Sequence, residues 1–162
     1  MKAPNEQYYR FPRRLLTSHA WSVLNINERR AFDRIMEEHQ SKSGFVNDGL
    51  VVTTRDFVSF GVQPKHVTNS LRVLRELGII ECARNMGGSV SGRTPNLWRP
   101  TFLPRTPTSN DATHDYLDIT TREEAKAIAA THRFHETRKE RKPPPRPRKL
   151  RTVSPLPIAT TS

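Results

Sequence analysis

Between Asp56 and Ile80 the apolar positions recur at helical intervals. Val67, Leu71, Leu74 and Leu77 are spaced by four, three and three residues, so a single stripe of one helix carries them. Lys65, His66, Thr68, Asn69 and Arg72 fall off that stripe and are expected to face outward. Pro64 suits a first helical turn, where its missing N–H has no partner to lose, and Gly78 can take the left-handed conformation that ends a helix. Upstream, Thr53 or Thr54 can cap a short helix carrying Phe57, Val58 and Phe60, with Asp56 three residues after Thr53 in a box-like arrangement. Gly61 supplies the turn. Two short helices around a glycine turn form the helix-turn-helix pattern, whose second helix commonly lies in a DNA major groove.

The same patterning places the other elements. Leu15, Leu16, Ala20, Trp21 and Leu24 have roughly helical spacing and predict a short helix or a pair of turns that adds Trp21 to the core. Asn25 followed by Glu28 is a capping box opening a helix with Phe32, Ile35, Met36 and His39 on one face. His39 falls at its C-terminal end, where the helix dipole favours an imidazolium. Residues 40–49 read as a loop and residues 50–53 as a short strand. Residues 79–84 and 96–102 have strand character and enclose a glycine-rich loop, and Pro100 predicts an edge strand or an interruption there. Residues 104–119 have linker composition, with Tyr116, Leu117 and Ile119 able to dock back on the domain. A second capping box is expected over Thr120–Glu123, opening an alanine-rich helix that runs to about Lys142. Its thin apolar content leaves three arrangements open: packing on the body, pairing with a twin in a homodimer, or standing in solvent. From Pro143 onward the prolines end the helix and no core is available, which predicts a disordered basic tail over 143–162.

The segment G-V-Q-P-K-H-V-T-N-S-L-R-V-L-R-E-L-G-I-I resembles the recognition-helix region of winged-helix DNA-binding proteins, with Pro64 standing where that family usually has a polar residue. The resemblance implies an α+β winged helix-turn-helix, a three-helix core with a small antiparallel β-wing, over residues 15–103. A mobile N-terminal arm would precede it (1–14), and the linker, the C-terminal helix (120–142) and the tail would follow. In that family the outward polar residues of the second helix touch bases and phosphates, which by position are Lys65, His66, Thr68, Asn69 and Arg72 here. Asn69 would suit adenine, and Arg72 or Lys65 guanine. Arg84 and Arg93 flank the wing tip, within reach of a phosphate or the minor groove. The arrangement also resembles small winged-helix proteins of bacterial plasmids, phages and integrated elements. That implies a transcriptional regulator or, alternatively, an accessory replication protein that binds origin DNA.

Charge sharpens this picture. The 162 residues carry a formal net charge of +11 at pH 7, which points first to nucleic acid and second to an acidic membrane surface. Arg138, Lys139, Arg141, Lys142, Arg146, Arg148, Lys149 and Arg151 concentrate positive charge near the C-terminus, as a basic arm on a phosphate backbone would. A winged-helix interaction scaffold with a non-specific nucleic-acid-binding tail fits the same residues. The hydrophobic fraction of 34% is low for a chain packed throughout. The single cysteine, Cys82, cannot form an internal disulfide, which suits a reducing cytoplasm, and it reads as a small buried residue of a strand; a DNA-binding protein there is expected to be nucleoid-associated. No apolar run approaches the roughly 20 residues of a membrane span. None of the six histidines has partners at zinc-ligand spacing, and no nucleophile motif occurs. The expectation is therefore a non-enzyme without cofactor, metal or small-molecule ligand, with double-stranded DNA as its partner and a homodimer left open.

Overall fold

The computed structural model describes residues 11–42, 47, 49–83 and 96–133. The N-terminal arm up to residue 10, Arg84 and Arg93 with the loop they flank, and everything after Arg133, including all eight basic tail residues, lie outside the described residues. Within them the fold is mixed α+β. Its elements are α1 (Arg13–Leu16), α2 (His19–Ser22), α3 (Ile26–Ser41), β1 (Leu50–Val51), α4 (Thr54–Ser59), α5 (Val67–Glu76), β2 (Ile80–Ala83), β3 (Leu97–Pro100) and α6 (Arg122–Arg133). A 3-10 turn, Pro64–His66, leads into α5, and another, Asp115–Leu117, precedes α6.

Local side-chain chemistry fixes most helix starts. The Asn25 side chain accepts from the Glu28 N–H at 3.0 Å, and Glu28 Oε2 accepts from the Asn25 N–H at 2.8 Å. At α4 the cap is Thr53: its Oγ1 accepts from the Asp56 N–H at 3.4 Å while Asp56 Oδ2 accepts from the Thr53 N–H at 2.8 Å. At α6 the expected box is displaced by one residue. Thr121 Oγ1 accepts from the Glu124 N–H, and Glu124 Oε2 accepts from the Thr120 N–H, each at 3.2 Å. Thr120 and Thr121 each have an acidic residue three positions on, and the hydrogen bonds select the second pair.

The three strands form one antiparallel sheet in the order β1-β3-β2, with Leu50 opposite Trp98 and Cys82 also opposite Trp98. β3 is thus the central strand, so Pro100 does not lie on an edge; it ends the strand. The Thr101 N–H donates to the Ile79 carbonyl at 3.1 Å, which turns the missing N–H of Pro100 to the other side, where β1 has already stopped. The Pro100 carbonyl there accepts from the Asn47 side chain at 3.4 Å.

The core gathers around α3, whose Ala31, Phe32, Ile35 and Met36 are all buried. Phe32 meets Trp21 edge-on at a 5.3 Å centroid distance and also touches Phe11 and Phe102. Trp21 is half-buried, with the Arg29 guanidinium 5.5 Å from its ring. Residues 104–119 return to the domain: the N–H groups of Thr113 and His114 donate to the Thr101 carbonyl, and Tyr116 is fully buried. Ile119 docks as well, whereas Leu117 stays exposed. The closure needs Gly78, whose φ is +68° and whose missing Cβ would lie 2.6 Å from the Asp115 carbonyl carbon. α6 then packs on the body, against α2 and α5, with Ala125 and Ala129 fully buried. Alanine is what lets a helix of thin apolar content approach that closely. Among the described residues no helix is long and apolar enough to cross a membrane.

Candidate nucleic-acid interface

The surface of α5 divides into three sectors, because successive residues turn by about 100°. Val67, Ser70, Leu74 and Leu77 face the core and are buried. Asn69 and Val73, four residues apart, lie on a second buried face, beneath α6. Thr68, Arg72 and Arg75 form the third sector, opposite the core, with Lys65 exposed just before the helix.

This division corrects part of the sequence-based assignment. Asn69 is not an outward residue: only 6% of it is exposed, and its Nδ2 donates to the Arg133 carbonyl of α6 at 3.1 Å. Heptad-like spacing put it on the polar side, but a second helix covers that side. His66 is half-buried and stands off the open stripe. Leu71, expected within the core stripe, is only half-buried, while Ser70 takes the buried position beside it. Lys65, Thr68 and Arg72 remain outward or partly outward as expected. Arg75 was missed. It stands three residues after Arg72 and seven after Thr68, a spacing that marks the same stripe.

Between this stripe and the sheet runs a cleft of about 190 Å³. Thr54 of α4, Thr68, Arg72 and Arg75 of α5, Cys82 of β2 and Asn96 before β3 are among its lining residues. Cys82 is half-buried there, less enclosed than expected. Arg75 is 49% exposed and forms an ion pair with its neighbour Glu76 at 2.6 Å. The arrangement is cationic, hydroxyl-bearing and open, and it offers donors to an anion in a shallow trough.

The approach to α5 is fixed from α3. The Arg30 guanidinium donates to the Gly61 carbonyl at 2.8 Å, and the Gln63 N–H donates to the Asn27 side chain at 3.2 Å. Gly61 has φ +96°, a left-handed turn that another residue would adopt only with strain. At the start of α4, hydrogen bonds from the Thr53 backbone N–H and hydroxyl hold the Asp56 carboxyl below the ordinary aspartate pKa.

A second cluster lies around Arg133, the last described residue of α6. Glu28 is 1% exposed, and its carboxylate accepts from the Asn25 backbone and side chain and, bidentately, from Arg133 at 2.6 Å on each oxygen. The Arg133 guanidinium also donates to the Val23 carbonyl at 2.8 Å. Its hydrogen bond to Glu28 holds the Arg133 pKa above the ordinary arginine value. Asn25–Glu28 reads locally as a cap, and no spacing rule links it to a residue 105 positions away. On the sheet, Arg99 is buried against Glu81 and donates to the Asp111 carbonyl at 3.3 Å, a tie between β3 and the returning linker.

Among the described residues no group of histidine, cysteine and carboxylate side chains could hold a metal ion. Compared with models of known protein families, with curated proteins and with solved structures, the chain matches none.

Proposed function

We propose that this protein binds double-stranded DNA sequence-specifically through the open sector of α5, as a winged helix-turn-helix protein. The single observation that carries the reading is the stripe Lys65, Thr68, Arg72 and Arg75, set opposite the core on a helix held from behind by α3. An α-helix fits a major groove, arginine and lysine match the O6 and N7 acceptors of guanine, and threonine can contact bases of either kind. The order α3–β1–α4–α5–β2–β3 with a β1-β3-β2 sheet supports a winged-helix arrangement, in which β2 and β3 lead into the wing. A helix in the major groove and a wing in the adjacent minor groove leave one phosphate strand between them. The cationic cleft beside Arg72 and Arg75 suits that strand. The net charge of +11 adds long-range attraction. Transcriptional regulation is the process proposed, and it rests on the resemblance to small winged-helix proteins of mobile elements.

Selection from random duplex DNA at about 150 mM salt tests the reading, a concentration at which non-specific phosphate attraction is substantially screened. The intact chain is expected to enrich a motif that a Lys65→Ala, Arg72→Ala, Arg75→Ala variant fails to enrich. Arg72→Ala alone should lose about 1–3 kcal/mol at that motif. If intact chain and triple variant recover the same unenriched pool, the α5 reading is wrong.

A further inference from the structure

The cleft between α5 and the sheet has two layers of different chemistry. Its outer layer is polar: Thr68, Arg72 and Arg75 come from α5, and the exposed Thr54 and Asn96 also line it. Its inner layer is apolar. Val67 is 2% exposed and Trp98 5%, yet both line the cleft, together with half-buried Leu71 and Cys82. Cys82 and Trp98 are directly opposite in the β2–β3 ladder, so their side chains share one face of the sheet. Val67 and Leu71 are one helical turn apart, as are Thr68 and Arg72, so the α5 wall grades from apolar within to cationic at the mouth. A phosphate strand uses the cations and hydroxyls of the mouth. It has no use for an indole and two aliphatic side chains beneath them.

We propose that this cleft is an effector site for a small aromatic monocarboxylate, an anion of benzoate size, which opposes DNA binding by engaging Arg72 and Arg75. The volume selects the class of ligand. About 190 Å³ exceeds the roughly 150 Å³ of an apolar cavity that accepts benzene, so one six-membered ring with its carboxylate fits. It falls short of the roughly 300 Å³ at which sites for larger ligands begin, which excludes a nucleotide. The lining selects the chemistry. Carboxylate and guanidinium match bidentately, and Val67, Leu71 and the Trp98 indole give the ring an apolar and aromatic bed. Arg75 already donates to Glu76 Oε1 through Nε and Nη2, but a guanidinium carries more N–H donors than that pair uses. The competition with DNA rests on the binding proposed for α5; the ligand site stands on the cleft alone.

Calorimetric titration of the full-length chain, without DNA, tests the site with four probes: benzoate, benzamide, acetate and inorganic phosphate. Benzoate should bind saturably at one site, and benzamide, which lacks the charge, and acetate, which lacks the ring, should each bind at least about tenfold more weakly. Bound benzoate should also slow alkylation of Cys82 by iodoacetamide. Arg75→Gln should weaken benzoate by about tenfold, and Cys82→Phe, which fills the inner layer and leaves both arginines in place, should abolish its binding. The thermal unfolding midpoint of each variant checks its fold, and either variant alone suffices to locate the site. On a duplex carrying the selected motif, benzoate at about ten times its own Kd should raise the apparent Kd of the intact chain by about tenfold. No saturable benzoate binding overturns the site, as does phosphate binding as tightly as benzoate, which would make the cleft a plain anion trough. Benzoate affinity unchanged in the folded variants, with Cys82 unprotected, places the ligand elsewhere and overturns it too. Protected Cys82 with unchanged DNA affinity overturns the competition. Absence of motif binding by the intact chain overturns the α5 reading and the competition with it, while the titration made without DNA still decides the site.

Discussion

Asn69 and Arg72 are three residues apart on one helix and have opposite fates, which makes them a test of the interface at the level of single side chains. Asn69→Ala removes a buried hydrogen bond to the α6 backbone, so it should lower stability by about 1–2 kcal/mol in urea unfolding and leave the preferred DNA motif unchanged. A changed motif in that variant would mean that Asn69 turns outward on DNA. Arg133→Ala leaves Glu28 buried with only its Asn25 partners, and a cost of about 2–4 kcal/mol is expected by the same measurement. The penalty comes from a carboxylate stranded away from water, so it should exceed that of losing an exposed pair such as Arg105 with Asp111. Asp56 offers a readout by pH. Because its pKa is depressed in the folded chain, its capping contribution is present above the unfolded aspartate value and is lost as pH falls through the folded one. An NMR titration should place its carboxyl below the ordinary aspartate range, and Thr53→Ala should move it back up.

At the scale of elements, the two glycine turns separate conformational strain from steric collision. Both Gly61 and Gly78 have positive φ, but a Cβ at Gly61 would meet nothing closer than 3.6 Å, on the flexible Arg30 side chain. At Gly78 it would meet the Asp115 and Tyr116 backbone at 2.6 and 2.7 Å. Gly61→Ala should therefore cost about 1–2 kcal/mol, the left-handed penalty alone, and Gly78→Ala clearly more, with the 104–119 segment displaced from its seat. Thermal unfolding of both variants checks the order. The elements built from local chemistry were legible in the sequence: the caps at Asn25 and Thr53, the turn at Gly61, the stop at Gly78 and the buried face of α3 are all where spacing and capping rules put them. What was not legible depends on partners distant in the chain. Periodicity assigns α5 one buried face, and only the arrival of α6 gives it a second, removing Asn69 from the candidate site. Pro100 reads as either an edge residue or a strand interruption, and only the early end of β1 shows that interruption of a central strand is the alternative realised. Alanine patterning announced α6 as a helix but was silent on its partner, because small side chains mark closeness without saying to what.

Across the whole molecule, Lys and Arg outnumber Asp and Glu by 27 to 16, and eight of the cations fall between Arg138 and Arg151, outside the described residues. Under the DNA binding proposed for α5, affinity is expected to depend also on how α6 is seated, because α6 covers the Asn69 side of that helix. The Glu28–Arg133 junction adds a consequence in time. Glu28 is made early and its partner 105 residues later, a delay of roughly 5–20 s at a synthesis rate of about 5–20 residues per second. During that interval the nascent chain can assemble α3 to β3 around a carboxylate that has only half of its final partners. Each newly made molecule therefore passes through a stage in which α3 to β3 can already pack, α5 lies uncovered along its Asn69 side, and Tyr116, Ala125, Ala129 and Arg133 have yet to take their places.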